Sequence, residues 1–305
     1  QVKIPKGKLI AVGGNEDKGT YPNPHTKRKY YLDFFELGIL KRVLQEMNKE
    51  NARIEVVTTA SMIPEEVGER YLSAFGILGS TNVGLMHIRT EEDALLPEYL
   101  ERMRKTDGVM FSGGDQSRLT RMFGGTEFLE VLKERYWNEE NFVIAGTSAG
   151  AMAQSQIMIK GGSISDALLK GAVKIGEGLG FLEGVIIDSH FVKRGRFGRL
   201  IEAVAAHQKT IGIGLGEDTG VLITHGKMIE TIGSNLVVIV DGHNIKHNNT
   251  FEVDKGRPLS IENLTMHILA KGNIYDIDTR RFYSNAERHK AYLASLQKVQ
   301  ESENS

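Results

Sequence analysis

The residues best suited to covalent chemistry are Gly-Thr-Ser-Ala-Gly at 146–150. They follow the apolar run 142–144 and precede a segment of helical composition, so a strand is predicted to pass directly into a helix at Ser148. A G-x-S-x-G sequence at such a junction is typical of a nucleophile elbow, which presents the serine hydroxyl at the edge of a sheet. Because the motif also occurs by chance in close-packed turns, other residues must support a catalytic interpretation.

A serine nucleophile needs a base, and histidine is the usual one because its pKa lies near neutrality. Of the nine histidines, His190 directly follows a predicted strand at 185–187, so it is expected at the same sheet edge as Ser148. His243 and His247 have i, i+4 spacing but lie in a polar turn, which does not favour a metal site. We therefore expect His190 to be the general base and the site to hold no metal.

A carboxylate must orient this histidine, and the residues alone leave its identity open. Four acids lie nearby in the sequence: Asp166, Asp188, Glu177 and Glu183. The order serine–acid–histidine matches the α/β-hydrolases, but the interval from Ser148 to His190 is short for that fold. A general α/β-hydrolase esterase would need its acid and histidine near residues 218–267 and stays open as an alternative.

Three arginines follow the candidate base, at 194, 196 and 199. Planar guanidinium groups bind carboxylates in a bidentate manner, which indicates an acidic ligand. Arg196 and Arg199 are three positions apart at a predicted helix start, so they can share one face. Three carboxylates are candidates to receive a guanidinium group of the ligand: Asp188, Glu217 and Asp218.

The elements that position these residues alternate between strand and helix. Apolar runs predict strands at 8–12, 54–59, 83–88, 108–111 and 142–145, with helical patterns between them. This alternation predicts a largely parallel sheet covered by helices on both faces. Three glycine-bearing loops, at 13–19, 112–116 and 146–150, then meet at the carboxyl ends of the strands, where such sheets bind ligands. After residue 211 short β runs predominate, and no linker divides the chain, so one domain is predicted over 1–305 with a tail from about 284.

Composition narrows the classes of function. The chain has 305 residues, 40% of them hydrophobic, a net charge of −1 and no cysteine. The charge argues against general nucleic-acid or anionic-membrane binding, and the missing cysteine excludes disulfides and thiolate nucleophiles. The loop at 13–19 lacks the G-x-G-x-x-G fingerprint, so no nucleotide cofactor is expected. No apolar run is long enough for a membrane span. A chain that begins at Gln1 is compatible with a removed signal peptide, which leaves both a cytoplasmic and a secreted protein open.

Several motifs in order resemble those of the cyanophycinases, in the serine peptidase family that also contains the aspartyl dipeptidase peptidase E. They are Gly-Gly-Asn-Glu-Asp-Lys at 13–18, Gly-Gly-Asp-Gln at 113–116, Gly-Thr-Ser-Ala-Gly-Ala at 146–151, Asp-Ser-His at 188–190, Arg-Gly-Arg-Phe-Gly-Arg at 194–199 and Gly-Glu-Asp-Thr at 216–219. The resemblance covers about residues 8–280. The arginine-rich segment favours the cyanophycinase branch over the dipeptidase branch.

The resemblance implies a three-layer α/β sandwich of the class I glutamine-amidotransferase (flavodoxin-like) type. Its central sheet would be mostly parallel, with extra strands in the C-terminal third, and the protein would be a homodimer. Ser148 would be the nucleophile, His190 the base and Asp166 the orienting acid, in a position where the family usually has glutamate. The oxyanion hole would comprise backbone N–H groups of Ala149, Gly113 and Gly114. The substrate-binding positions would be Gln116, Asp188, Ser189, Arg194, Arg196 and Arg199, with Ser189 standing where the family has glutamine.

The implied substrate is cyanophycin, a poly-aspartate backbone with an arginine joined to each β-carboxyl group. The implied reaction is serine exopeptidase cleavage that releases β-Asp-Arg dipeptides through an acyl-enzyme, without a cofactor. Two alternatives stay open: a related peptidase acting on other aspartyl or isoaspartyl peptides, which the Ser189 departure keeps in view, and a non-catalytic binding module on the same scaffold.

Overall fold

A computed structural model describes residues 3–18, 38–288 and 290–291. Parts of three predicted features lie outside these residues. They are the first turn of the helix expected from Phe34, the loop through 21–24, and most of the tail helix expected after residue 284. No helix of the described ranges combines the length and the apolar character that a membrane crossing requires.

Five parallel strands form the half of the large sheet that carries Ser148. They are β1 (Lys8–Val12), β2 (Ile54–Val57), β3 (Val83–Met86), β4 (Gly108–Phe111) and β5 (Val143–Thr147). Their spatial order is β1-β5-β4-β2-β3, and all neighbours among them are parallel. Strands β2, β4 and β5 are buried along their whole length, as expected for parallel strands covered on both faces.

Two layers of helices cover this parallel half. The helices of the described residues are α1 (Ile39–Glu46), α2 (Pro64–Ile77), α3 (Pro97–Lys105), α4 (Gln116–Phe123), α5 (Glu127–Asn138), α6 (Ala149–Met152) and α7 (Phe197–Ala206), with a short 3₁₀ turn at Asp93–Leu95 before α3. Helices α1 and α2 pack their apolar faces on one side of the sheet, and α3, α4 and α5 pack on the other. Side chains cap two helices, since Asp115 accepts from the N–H of Ser117 and Thr126 from that of Leu129.

Four antiparallel strands extend the same sheet beyond β1, which makes nine strands. In spatial order outward from β1 they are β10 (Thr219–Thr224), β11 (Met228–Gly233), β16 (Ile274–Asp276) and β17 (Arg281–Tyr283). The predicted α/β class is confirmed, with its parallel strands between helical layers, and the extra strands of the C-terminal third enlarge the sheet on one side.

A second, four-stranded sheet carries the residues around His190. Its strands are β8 (Val185–Asp188), β9 (Ile211–Leu215), β12 (Val237–Asp241) and β15 (Thr265–Leu269). One face packs into the core shared with the large sheet, and α7 covers the other face. Strands β8 and β9 are parallel neighbours, and Asp188 pairs with Gly214. Two small ribbons complete the described fold: β6 (Ile157–Gly162) with β7 (Val173–Glu177), and β13 (His247–Asn248) with β14 (Ile261–Glu262).

Candidate active site

Ser148 occupies the single residue between β5 and α6. Its backbone has φ 52° and ψ −110°, a left-handed conformation that is costly for a residue with a side chain. The Ser148 N–H donates to the carbonyl of Val12 at 2.8 Å, which holds the turn against β1. A Cβ on Gly146 would lie 2.2 Å from the carbonyl oxygen of Gly150, so glycine is required for the strand to turn this sharply into the helix.

His190 lies directly beside this serine. Its Nε2 is 3.0 Å from the Ser148 Oγ. The backbone N–H of His190 donates to the carbonyl of Gly13 at 2.8 Å. The imidazole packs on Gly14, where an added Cβ would approach its Cε1 to 2.2 Å, so a side chain at position 14 would displace the ring. The structure therefore brings together the serine and the histidine that the sequence pairs.

The carboxylate on the far side of the imidazole is Glu217. Its Oε1 is 2.9 Å from the His190 Nδ1, and its Oε2 is 3.2 Å from the Nζ of Lys193. A carboxylate at Nδ1 favours the tautomer with the proton on Nδ1, which leaves the Nε2 lone pair facing the serine hydroxyl. Ser148, His190 and Glu217 thus form one continuous chain of hydrogen bonds.

The prediction that Asp166 orients His190 is wrong for this geometry. Asp166 is exposed in the loop between β6 and β7, where its N–H donates to the Ser163 Oγ. Glu217 takes the place because β8 and β9 are parallel neighbours, so the loops that follow them meet at one edge. The available sequence signal was that the apolar run 211–215 precedes Glu217, as 185–187 precedes His190. The sequence predicts only a ligand-binding role for Glu217.

The surroundings of His190 and Glu217 lower the pKa of both groups, which favours a neutral histidine beside an ionised glutamate. Burial lowers the pKa of His190, and the charges of Arg194 and Arg196 lower it further against the opposing effect of Glu217. Burial by itself would raise the pKa of Glu217, but hydrogen bonds from His190, Asn15 and Lys193 outweigh it and lower that pKa. The histidine is therefore available as a proton acceptor near neutral pH.

The glycines expected to form an oxyanion hole lie next to the serine. A Cβ on Gly113 would lie 3.4 Å from the Ser148 Cβ, so the backbone of the loop that follows β4 comes close to the nucleophile. Gly114 has φ +140°, and a Cβ there would meet the carbonyl oxygen of Ala60 at 1.9 Å. Ala149 is the first residue of α6, directly after Ser148. The oxyanion role of their N–H groups remains a prediction.

Five of the six positions predicted to bind substrate make contacts within the protein, so their substrate role stays a prediction. The Asp188 side chain is fully buried; it accepts from the Nε of Arg199 at 2.7 Å, and the Arg196 guanidinium lies 3.4 Å from it. Ser189 is buried as well. The side-chain Nε2 of Gln116 donates to the carbonyl of Ile159 at 2.9 Å. Burial lowers the pKa of Arg196 to about 10, with Arg199 and Arg194 adding to the effect and Asp188 opposing it. Of the six predicted positions, Arg194 alone lines the cavity beside Ser148.

Asp218, the third carboxylate predicted to receive a guanidinium group of the ligand, is also committed within the protein. Its Oδ1 accepts from the N–H of Asp17 at 3.0 Å, and its Oδ2 accepts from the Oγ of Ser234 at 2.7 Å. Burial raises the pKa of Asp218 to about 6. The side chain therefore ties the loop at 13–18 to the loop that carries Glu217.

A cavity of about 370 Å³ opens over Ser148 and His190. Besides these two and Arg194, its side chains include Asn15, Glu16, Lys18 and Thr147, from two of the loops predicted to meet here. Val67, Arg70 and Tyr71 also line it, and sequence reasoning did not place them there. Residues 15–18 belong to the loop after β1, which the motif at 13–18 had marked without assigning roles. Arg70 and Tyr71 lie in α2, and helical periodicity gives no sign that they face a site.

Glu16 is the buried centre of this group. Its Oε2 accepts from the Oγ1 of Thr147 at 2.7 Å, and its Oε1 accepts from the hydroxyl of Tyr71 and lies 3.3 Å from the Nζ of Lys18. Burial alone would raise the pKa of Glu16, but Lys18 and the two hydroxyls lower it, so the carboxylate is ionised. Burial and the Glu16 charge raise the pKa of Tyr71 well above its ordinary value. Within the described residues no group of three histidine, aspartate or glutamate side chains is arranged to hold a metal ion.

Comparison with known proteins gives consistent matches over most of the chain. Residues 34–232 match peptidase family S51. Cyanophycinase of Synechococcus elongatus is 33% identical over 291 residues, which covers 95% of this chain and 84% of the relative. Cyanophycinase of Geminocystis herdmanii is 32% identical over 276 residues, covering 90% of this chain and 96% of the relative. The solved structure of a peptidase from an acI-B1 actinobacterium superposes with a TM-score of 0.60 at 20% identity, over 90% of this chain and 98% of that one, and so shares its fold.

Proposed function

The chain belongs to peptidase family S51 and is a serine peptidase, and we propose that it hydrolyses cyanophycin to β-Asp-Arg dipeptides as an exopeptidase. The observation that carries the mechanism is the hydrogen-bonded chain from Ser148 through His190 to Glu217. The substrate is proposed from the cyanophycinase relatives, which match nearly the whole chain at about one-third identity.

In the proposed reaction Ser148 is the nucleophile, held on an elbow between β5 and α6. Its Oγ attacks the scissile aspartate carbonyl while the Nε2 of His190 takes the hydroxyl proton. Glu217 stays ionised and stabilises the imidazolium that forms. The C–N bond then breaks, the imidazolium gives its proton to the leaving amine, and an acyl-enzyme remains on Ser148. Water attacks this ester with His190 again as base, which restores the enzyme.

The negative oxygen of each tetrahedral intermediate would be stabilised by N–H groups of Ala149 and of the Gly113–Gly114 turn. A single donor of this kind typically contributes about 3–4 kcal/mol to transition-state stabilisation. The close approach of Gly113 to the Ser148 Cβ supports this assignment, since it puts the turn beside the nucleophile.

Incubation with purified insoluble cyanophycin, followed by mass spectrometry of the soluble products, tests the proposal. We expect β-Asp-Arg as the main product, and none with the Ser148→Ala variant. Short aspartyl and isoaspartyl peptides serve as a second substrate set. Cleavage of these peptides without release of β-Asp-Arg from cyanophycin would contradict the proposed substrate and retain the serine chemistry.

A further inference from the structure

We infer that the cavity beside Ser148 binds the carboxylate groups of its substrate, through Lys18, Arg70 and Arg194, and leaves the guanidinium groups outside. The inference rests on the proposed function, because it states which part of that substrate enters the cavity. Each repeat of cyanophycin offers both charges, a free carboxylate on arginine and a guanidinium group. Which of these two groups the cavity binds depends on the charges that line it.

The charges that line the cavity are unequal in number. Lys18, Arg70 and Arg194 supply three positive charges, and Glu16 is the one carboxylate among the described residues of the lining. His190 is neutral near neutral pH, because burial and nearby arginines lower its pKa. The described part of the lining therefore carries a net positive charge, which attracts a carboxylate and repels a guanidinium group.

Glu16 cannot receive a guanidinium group in this arrangement. Its side chain has no exposed surface. Both oxygens are already occupied, one by Thr147 and the other by Tyr71 and Lys18. A ligand guanidinium would have to displace donors from a buried ion, and the displaced groups would lose their own partner. Glu16 instead holds the neighbouring groups in place.

Lys18 is the cation that this arrangement positions best. Its Nζ lies 3.3 Å from the Glu16 Oε1, 3.3 Å from the Glu16 carbonyl oxygen and 5.2 Å from the centre of the Tyr71 ring. These contacts fix the ammonium group on one side, and 22% of the side chain stays exposed. A fixed ammonium with free surface at the cavity wall is a suitable point of contact for a carboxylate.

Arg70 and Arg194 complete the positive lining. Arg70 precedes Tyr71 in α2 and pairs with Glu66 on the same helix, where both side chains are more than half exposed. Exposed pairs of this kind contribute little and exchange readily, so the Arg70 guanidinium can turn to a ligand. Arg194 is exposed one turn after His190, at the other side of the cavity. A carboxylate near Ser148 would therefore have cations on two sides.

Two carboxylates just outside the cavity lining also have cationic or imidazole partners within the protein. Glu217 contacts His190 and Lys193, and Asp188 contacts Arg196 and Arg199. The guanidinium group of a bound β-Asp-Arg unit thus meets like charge within the cavity. The long arginine side chain allows it to extend into solvent while the carboxylate remains inside.

Calorimetric titration of the intact protein with three dipeptides tests the inference without requiring turnover. The ligands are β-Asp-Arg, the same dipeptide with both free carboxyl groups converted to amides, and β-Asp-citrulline, whose ureido group is a neutral isostere of guanidinium. We expect the diamide to bind at least about tenfold more weakly than β-Asp-Arg, since charge-assisted contacts are lost. The citrulline dipeptide should bind within about threefold of it, since a solvated charge outside the cavity contributes little.

A matched pair of variants assigns the effect to the cavity. Lys18→Met should reduce the difference in affinity between β-Asp-Arg and the diamide, because one of the three cations is lost. Lys105→Met, at the opposite end of the sheet, should keep the full difference. Weaker binding of the citrulline dipeptide than of the diamide, equal binding of all three, or no binding would overturn the inference. Failure to cleave cyanophycin with the expected binding order intact would overturn only the proposed function.

Discussion

Two charged clusters flank His190, and they use the same residue types for different purposes. The inner cluster, Asp188, Arg196 and Arg199, lies at the end of β8 and the start of α7, and its Asp188 is fully buried. The cavity cluster, Glu16, Lys18, Arg70 and Arg194, surrounds the open side of Ser148. The cations of the inner cluster are largely buried around Asp188, whereas the cavity cluster keeps accessible positive charge. Arginines that follow one another in a basic motif beside a catalytic residue can therefore serve either an internal ion-pair network or an open cavity, depending on their burial.

The two clusters also act on different parts of the catalytic geometry. Arg199 ties α7 to the end of β8, the strand from which His190 extends. Glu16 connects the loop after β1 to α2 through Tyr71, and to the end of β5 through Thr147, the residue before the nucleophile. One cluster therefore supports the base, and the other supports the nucleophile and borders the cavity.

The largest expected effect tests whether Glu217, outside both clusters, is the acid of the site. We expect Glu217→Gln to lower kcat on cyanophycin by about 10³- to 10⁴-fold, because the amide cannot stabilise the imidazolium. Asp166→Asn is the matched control and should leave kcat unchanged, since Asp166 lies exposed away from His190. A large loss with Asp166→Asn and a small one with Glu217→Gln would reverse the assignment.

The next prediction compares how much one arginine of each cluster contributes to the free energy of unfolding. Arg199→Met should lower the free energy of unfolding by about 3–5 kcal/mol, because it leaves the buried Asp188 without its principal partner. Arg194→Met in the cavity cluster should change it by no more than about 0.5 kcal/mol, as is usual for an exposed side chain. Urea unfolding followed by circular dichroism measures both. Similar losses for the two variants would mean that the clusters do not differ in the way described.

A smaller effect concerns the link between Glu16 and the nucleophile. Thr147→Val removes the hydroxyl that donates to Glu16 and should cost about 1–3 kcal/mol of stability, because a buried carboxylate loses a donor. We also expect slower reaction of Ser148 with a small fluorophosphonate. Thr147→Ser keeps the hydroxyl and should recover most of both losses. If serine and valine at position 147 behave alike, the hydroxyl contact has no part in positioning Ser148.

The smallest effect is a shift in pH dependence caused by the cavity cluster. His190 must be neutral to accept the Ser148 proton, so the rate of fluorophosphonate reaction rises as pH passes upward through the pKa of His190. Burial lowers this pKa, and the charge of Arg194 lowers it further. Arg194→Gln should therefore move the acidic limb of the profile to higher pH. Lys105→Gln is the control, and a movement to lower pH with Arg194→Gln would contradict the electrostatic role.

The sequence predicts that Ser148 and His190 lie near each other because each comes within two residues of the end of an apolar strand. The expectation that both strands end at the edge of one sheet was wrong, since β5 belongs to the large sheet and β8 to the second sheet. Glu217 was not assigned to His190, because the acid was sought along the chain whereas β9 brings it from the neighbouring strand. The burial of the Arg196 and Arg199 side chains against Asp188 could not be predicted either. Their spacing indicates that they share a helix face but does not show which face is buried. The parallel strands could be predicted from local apolar runs. The second sheet could not, because the pairing of β9 with β12 and of β12 with β15 joins segments distant in sequence.

The central claim is that Ser148 is a nucleophile activated by His190 and Glu217, and one measurement tests it most directly. The intact protein is treated with a fluorophosphonate, and mass spectrometry of the whole chain and of its peptides locates the adduct. We expect a single phosphonyl group on Ser148, formed much more slowly in Glu217→Gln and absent in Ser148→Ala. An unlabelled native protein, or an equal adduct on the Ser148→Ala variant, would contradict the claim.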